Sequence, residues 1–251
     1  MNTGSFDDFL QLSSIARAEK MWLHVDGAFG SFIILDPQRR HLVRGIDQAD
    51  SLVFDFHKWL HCPFTVGCVL VHDKTQLQST FSSPKSYLTV TERISDGDFL
   101  FSDYGPEVSR PCRALKVWLT LKEHGTVKLG QKIADNCEQA KYLVSLLEKH
   151  EHIIRILRPI SLNVVNFRFE PKELGKVNHE LIDMFNRELV KDILTSGIAI
   201  VSPWRIRNRI YIRVAILSHR SIHADFDLFM ETLLNLYQIR IQALVTGREP
   251  T

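Results

Sequence analysis

The sequence predicts an α/β layer followed by a compact α+β unit. Three observations carry this. Short, mostly apolar runs at 21–26, 50–56 and 66–71 are separated by helical or turn-rich stretches, as expected of strands buried on both faces of a layered sheet. A polar stretch at 78–111, rich in Ser, Thr, Asp, Gly and Pro, then breaks the periodicity. Beyond it, helical and strand-like periods return in a closely spaced series.

In chain order, Ser5-Phe6-Asp7-Asp8 reads as a helix start, with Ser5 as cap and Asp8 at the third helical position. The helix is expected to run to about residue 20, with Phe6, Phe9, Leu12, Ile15 and Ala16 on one face. The strand at 21–26 ends in a carboxylate, Asp26, and Gly27-Ala28-Phe29-Gly30 turns the chain. Strands follow at 50–56 and 66–71. The stretch 78–111 is expected to be a functional or mobile loop. A helix from residue 113 stops near Gly125, and a second covers about 127–150. The remainder reads as strands 153–157 and 161–169, helix 179–195, strands 198–202 and 209–216, and helix 222–237. The expected domains are 1–135, including the loop 78–111, and a small α+β domain, 136–251, with the boundary inside the second long helix.

The bulk numbers exclude several function classes. The 251 residues are 45% hydrophobic and 24% charged, with a net charge of +2. That balance suits a soluble protein with a sizeable core and points to neither nucleic acid nor an anionic membrane. The four cysteines, Cys62, Cys68, Cys112 and Cys137, form no C-x-x-C pair and match no zinc spacing. No metal site is expected. No apolar run is long enough for a membrane span, and no signal peptide follows Met1. The expected compartment is the cytoplasm.

Three positions carry candidate chemistry. Asp26 ends one strand, Lys58 follows the next after 32 residues, and Tyr87 lies 29 residues further on in the loop. Parallel strand ends converge on one edge of a sheet, where α/β proteins bind ligands. A lysine and a carboxylate on that edge suit pyridoxal phosphate, which needs an imine to its aldehyde and a partner for its protonated pyridine nitrogen. Ala28 is small enough to let a ring lie flat, and His24 shares a strand face with Asp26. Each residue alone also fits a structural role: a turn aspartate, a solvated lysine, a surface tyrosine, an interior histidine.

The surrounding text is more specific. Trp22-Leu23-His24-Val25-Asp26-Gly27-Ala28-Phe29-Gly30, then Ala49-Asp50-Ser51, then Phe56-His57-Lys58-Trp59-Leu60 closely resembles the group II pyridoxal-phosphate decarboxylases. Their motifs read H-V-D-A-A plus an aromatic residue, A-D-S, and N-P-H-K-W. Ser5-Phe6-Asp7, Arg113 to Trp118 and Arg213 to Ser218 extend the match. The resemblance implies a fold-type I pyridoxal-phosphate transferase-like architecture: the C-terminal part of the large domain, a lid and a small domain. It implies decarboxylation of an L-amino acid to the amine and carbon dioxide. Lys58 would be the imine lysine, Asp26 the pyridine partner, Ala28 the ring contact and His24 a neighbour of the cofactor. His57 would orient the lysine and the phosphate end. Tyr87 in Ser86-Tyr87-Leu88 would be the lid tyrosine that protonates the α-carbon, in a site closed to water.

The match has departures. Gly27 replaces an alanine, which is expected to be harmless, and Asp55-Phe56 replaces Asn-Pro. The family asparagine anchors phosphate, so Asp55 puts that contact in question. Family members also carry a long preceding segment with the dimer arm and the phosphate loop. The chain is therefore expected to be the C-terminal portion of such an enzyme, acting as a homodimer or with a complementing N-terminal half. Two other readings stay open: another fold-type I enzyme, such as an aminotransferase or carbon–sulfur lyase, and a truncated non-catalytic interaction partner. Arg205, Arg207, Arg209, Tyr211 and Arg213 read as one face of an alternating strand, solvated or salt-bridged, or else as a grip for a substrate carboxylate.

Overall fold

The computed structural model describes residues 2–82, 101–174 and 179–246. The chain divides into two compact units, Asp7–Leu129 and Met1–Phe6 with Gly130–Thr251.

The Asp7–Leu129 unit opens with α1 (Phe9–Ala18). Its cap is Asp8, whose carboxylate accepts the Gln11 N–H at 3.0 Å. Ser5 is not the cap: the first turn begins at Phe9, and the Ser5 hydroxyl lies 2.9 Å from that of Thr3. A cap must immediately precede the first turn to reach its free N–H groups. Phe9, Ser13 and Ala16 form the buried stripe, while Leu12 and Ile15, expected on that face, stay exposed.

A three-stranded sheet follows in the order β1-β2-β3. Strand β1 (His24–Asp26) pairs in parallel with β2 (Ser51–Asp55), with His24 opposite Ser51 and Asp26 opposite Val53. Strand β3 (Gly67–Val71) runs antiparallel to β2, with Asp55 opposite Gly67. Short 3-10 turns at Gly30–Leu35, Arg40–Val43 and Ile46–Gln48 lie between β1 and β2. The apolar runs suggested burial on both faces, but successive residues Val69 and Leu70 are 56% and 53% exposed. Adjacent strand residues point to opposite faces, so both faces of β3 are open among the described residues. Helix α2 (Lys74–Phe81), capped by Asp73, occupies the start of the stretch expected as loop.

Helix α3 (Arg113–Glu148) is two helical segments broken at Gly125, where φ is 70° and ψ 160°. Glycine reaches this positive φ without a Cβ clash. The break falls where the sequence expected one helix to stop.

The second unit is built on an antiparallel sheet in the order β4-β5-β7-β6. Its strands are β4 (Ile154–Ile156), β5 (Val164–Phe169), β6 (Ser202–Ile206) and β7 (Arg209–Ala215). Helices α4 (His179–Ser196) and α5 (His223–Thr246) join the second segment of α3 in one apolar core with this sheet. Leu143 and Leu147, Phe167 and Phe169, Leu189 and Ile193, Ile212 and Leu233 are all fully buried there. Buried Asn186 clamps α4 to β5, accepting the Phe169 N–H at 2.8 Å and donating to its carbonyl at 2.9 Å. The chain start also belongs to this unit: the Asn2 carbonyl accepts from Asn166 Nδ2 at 3.0 Å, and Gly4 lies against Leu162 and Val164.

Two expectations fail here. Residues 198–202 are not a strand. The strand begins at Ser202, and Ile200 is 95% exposed. Residues 205–213 are not one strand but a hairpin, turning at Arg207 and Asn208 with φ of 46° and 58°. Two consecutive left-handed residues make a tight turn whose twist suits a hairpin. Arg205 therefore pairs with Ile210 on one face, while Arg209, Tyr211 and Arg213 lie on the other. Arg213 is half-buried rather than solvated, and its Nε has no hydrogen-bond partner among the described residues.

Candidate active site

The C-terminal end of β1 delivers His24 and Asp26 to one exposed face, with Val25 buried between them. Asp26 Oδ1 accepts the Ala28 N–H at 3.0 Å, which closes the turn after the strand. Its other oxygen is not hydrogen-bonded among the described residues. The Gly27 N–H donates to the Val53 carbonyl at 2.9 Å. A Cβ at Gly27 would lie 2.9 Å from Leu52 Cδ1, 3.0 Å from Ser31 Cβ and 3.1 Å from the Val53 carbonyl oxygen. A methyl at this position would therefore be tightly accommodated, where the sequence suggested an indifferent exchange.

The register sets the environment of His24. Its Nδ1 lies 2.7 Å from the Ser51 hydroxyl, which accepts the Trp22 indole N–H at 2.8 Å. With that lone pair used, the Ser51 proton is free to point at Nδ1. Sequence reading quoted Ser51 as part of a motif and gave it no role. The cross-strand pairing of positions 24 and 51 supplies one.

Strand β2 delivers Asp55, and the chain turns through His57, Lys58 and Trp59. The Lys58 N–H donates to the Asp55 carbonyl at 3.1 Å, and Lys58 Nζ lies 2.6 Å from Asp55 Oδ2. Trp59 and Leu60 are fully buried and anchor the turn. The Trp59 ring stacks on Phe29 with centroids 4.8 Å apart and planes 12° from parallel. The Asp55 N–H donates to the Ala28 carbonyl at 3.2 Å. These two contacts fasten the Asp26–Phe29 turn to the Asp55–Trp59 turn. His57 Nδ1 is held by the backbone of Val66, 2.9 Å from its oxygen and 3.1 Å from its nitrogen. The His57 ring packs on Phe64, whose carbonyl accepts from Lys116 Nζ of α3 at 2.9 Å.

Thus Asp26, Ala28, Asp55, His57 and Lys58 come together at one sheet edge, with His24 beside Asp26. Tyr87 lies outside the described residues. Gly67 was missed by sequence reading: its bare Cα lies under the Asp55 carboxylate, and an added Cβ would sit 2.8 Å from Oδ1. A glycine opening a strand was the available signal.

The donor set suits a pyridoxal-type cofactor: a primary amine and a carboxylate with one uncommitted oxygen, with the small Ala28 beside that carboxylate. Among the described residues no group of three or more His, Cys, Asp or Glu side chains could hold a metal ion, and no helix is long and apolar enough to cross a membrane.

Comparison with known proteins gives the family. Residues 1–170 match the family model described as the pyridoxal-dependent decarboxylase conserved domain. An aromatic-L-amino-acid decarboxylase of Bacillus atrophaeus is 34% identical over 220 residues, covering 88% of this chain and 45% of that protein. A phenylacetaldehyde synthase of Petunia hybrida is 26% identical over 242 residues, covering 93% and 47%. The fold is similar to that of Oryza sativa TDC, solved with PLP and tryptamine, with a TM-score of 0.82 at 24% identity over 93% of this chain and 48% of that one. The chain spans about half the length of these relatives. With the family model matching more than half of the chain, and a lysine and a carboxylate set at one sheet edge, the chain belongs to the pyridoxal-dependent decarboxylase family.

Proposed function

We propose that this chain supplies the lysine-bearing part of a pyridoxal-phosphate-dependent carboxy-lyase, which converts an L-amino acid to its amine and carbon dioxide. The observation that carries the reading is the fastening of the Asp26 turn to the Lys58 turn, through the Phe29–Trp59 stack and the Asp55–Ala28 hydrogen bond. When bound, pyridoxal phosphate supplies an electron sink for the pair left on the α-carbon as carbon dioxide departs.

The chain's own residues divide the remaining work. Lys58 would hold the cofactor through its amine. Asp26 holds a proton on the pyridine nitrogen through its uncommitted oxygen. Ala28 gives the ring a flat apolar surface. His24, positioned by Ser51, lies beside it. His57, with Nδ1 committed to Val66, offers Nε2 towards the phosphate end. Tyr87 delivers the proton to the α-carbon, a role that rests on the resemblance alone.

The exposed apolar residues Phe64, Val69 and Leu70 support a further covering segment, either a second copy of the chain or a complementing N-terminal half. A cytoplasmic location completes the proposal.

The test is incubation with pyridoxal phosphate, borohydride reduction and peptide mapping. Label on Lys58 is expected, and label concentrated on another lysine refutes the assignment. Supplying the covering segment should then yield amine and carbon dioxide. Keto acid as the product would favour an aminotransferase, and no product despite a trapped Lys58 would favour a non-catalytic partner.

A further inference from the structure

We propose that Asp55 is a positioning residue for Lys58: its carboxylate stores the lysine ammonium at the sheet edge and does not serve the cofactor's phosphate. The inference rests on the assignment of Lys58 as the cofactor lysine.

One oxygen of Asp55 is ion-paired, and the other is bounded by Gly67. Oδ2 lies 2.6 Å from Lys58 Nζ. Oδ1 lies over Gly67, where a Cβ would approach to 2.8 Å. The antiparallel register places Asp55 opposite Gly67, so the bare Cα provides the space in which the carboxylate sits. The backbone reinforces this arrangement, since the Lys58 N–H donates to the Asp55 carbonyl at 3.1 Å and the Asp55 N–H to the Ala28 carbonyl at 3.2 Å. The Asp55 backbone is thus held at both its N–H and its carbonyl.

The charge argument points the same way. A carboxylate facing a phosphate is repelled, whereas one facing an ammonium is attracted. The Asp55 side chain is 18% exposed and that of Lys58 37%, so the pair is screened less than one fully in water. An amine held as a paired ammonium is a poor nucleophile towards an aldehyde. The pair therefore keeps Lys58 in place and slow to react until a ligand displaces the carboxylate.

The test separates charge from shape. Each lysine of the folded chain is labelled by mild reductive methylation and quantified by mass spectrometry, with Lys74 as the internal reference. Asp55→Asn keeps the shape and loses the charge, and is expected to raise Lys58 labelling about three- to fivefold relative to Lys74. Asp55→Glu restores a carboxylate and is expected to return labelling to within twofold of the parent. A purely structural role predicts the reverse order, with Asn tolerated and Glu disruptive, and that result would overturn the proposal. Should Asp55→Asn fold poorly, Gly67→Ala displaces the carboxylate from the other side and should raise Lys58 labelling in the same way. Unchanged labelling there also refutes it.

A second arm compares pyridoxal with pyridoxal phosphate, each trapped with borohydride. Asp55→Asn should change trapping at Lys58 by the same factor for both aldehydes. A change confined to the phosphorylated aldehyde means that Asp55 faces the phosphate. Failure of Lys58 to trap either aldehyde would instead count against the functional reading, while leaving the methylation result to stand by itself.

Discussion

Replacing Asp183 by alanine should be among the costliest single changes in the unit built on the four-stranded sheet. Arg168 is fully buried on β5, and its Nη1 donates to Asp183 Oδ1 at 3.0 Å. The same oxygen accepts the Ile210 N–H at 2.9 Å. Arg168 Nε lies 3.3 Å from Glu170 but is not aligned for a hydrogen bond, and Nη2 has no partner among the described residues. The two partners differ in one decisive respect: the Arg168 side chain is 1% exposed and that of Asp183 13%. The aspartate reaches water and the arginine does not. Asp183→Ala therefore leaves the buried guanidinium nearly stranded, with only the misaligned and partly exposed Glu170 carboxylate nearby, and orphans the Ile210 N–H. One-sided removal of a buried pair costs about 3–5 kcal/mol, and the orphaned amide about 1–3 kcal/mol with overlap, so a loss of about 4 kcal/mol is expected. Arg168→Met leaves Asp183 with Ile210 and partial hydration, and should cost about 1–2 kcal/mol. The double variant should be more stable than Asp183→Ala alone, because the stranded charge has gone. The assay is urea unfolding followed by the fluorescence of Trp204. That residue lies opposite Tyr211, whose ring centroid is 5.6 Å from the Arg168 guanidinium carbon. Equal losses from the two single changes, summing in the double variant, would refute the stranded-charge argument.

Three further outcomes are expected. Gly27→Ala should destabilise the Asp7–Leu129 unit by about 1–3 kcal/mol in chemical denaturation, since the new methyl meets backbone as well as the movable Leu52; an unchanged midpoint would mean that the turn yields freely. Ser51→Ala should move the His24 Nδ1 resonance in nitrogen-15 NMR spectra by removing its hydrogen-bond partner, with Ser51→Thr restoring the parent pattern. Burial, and secondarily the charge of Glu173, raise the Tyr237 phenol to about 12. The folded state thus holds that proton more tightly than the unfolded one, so the contribution is complete below about pH 10 and lost as pH rises towards 12; a phenolate absorbance difference between the parent and Tyr237→Phe that titrates near pH 10 would contradict it.

Much of the fold was legible because its signals are local. The helix break at Gly125, the strand ending in Asp26 and the buried apolar face of α4 all follow from neighbouring residues. The β6–β7 hairpin was not legible, because Arg207 adopts a left-handed backbone that its side chain does not advertise, so an alternating arginine pattern looked like one strand. The apolar run 198–201 resembled a strand, yet the pairing that makes a strand begins one residue later. At the candidate site, residue types and spacing pointed to Asp26, Ala28 and Lys58. The partners of Asp55 and His24 depend on strand register, which places Gly67 and Ser51 beside them from other parts of the chain. Spacing along one segment carries no such information.

The position of Asn2 has a consequence in time. Its partner Asn166 lies 164 residues further along the chain. At a synthesis rate of about 5–20 residues per second, Asn2 waits roughly 10–30 s before the strand that receives it exists. Closing a flexible loop of that length costs about 4–5 kcal/mol of chain entropy, more than one hydrogen bond and two apolar contacts return. The intervening Asp7–Leu129 unit is continuous in sequence and can form during that wait, taking up much of the slack. The residues around Asn2 then settle only after the unit that follows them in the chain has formed.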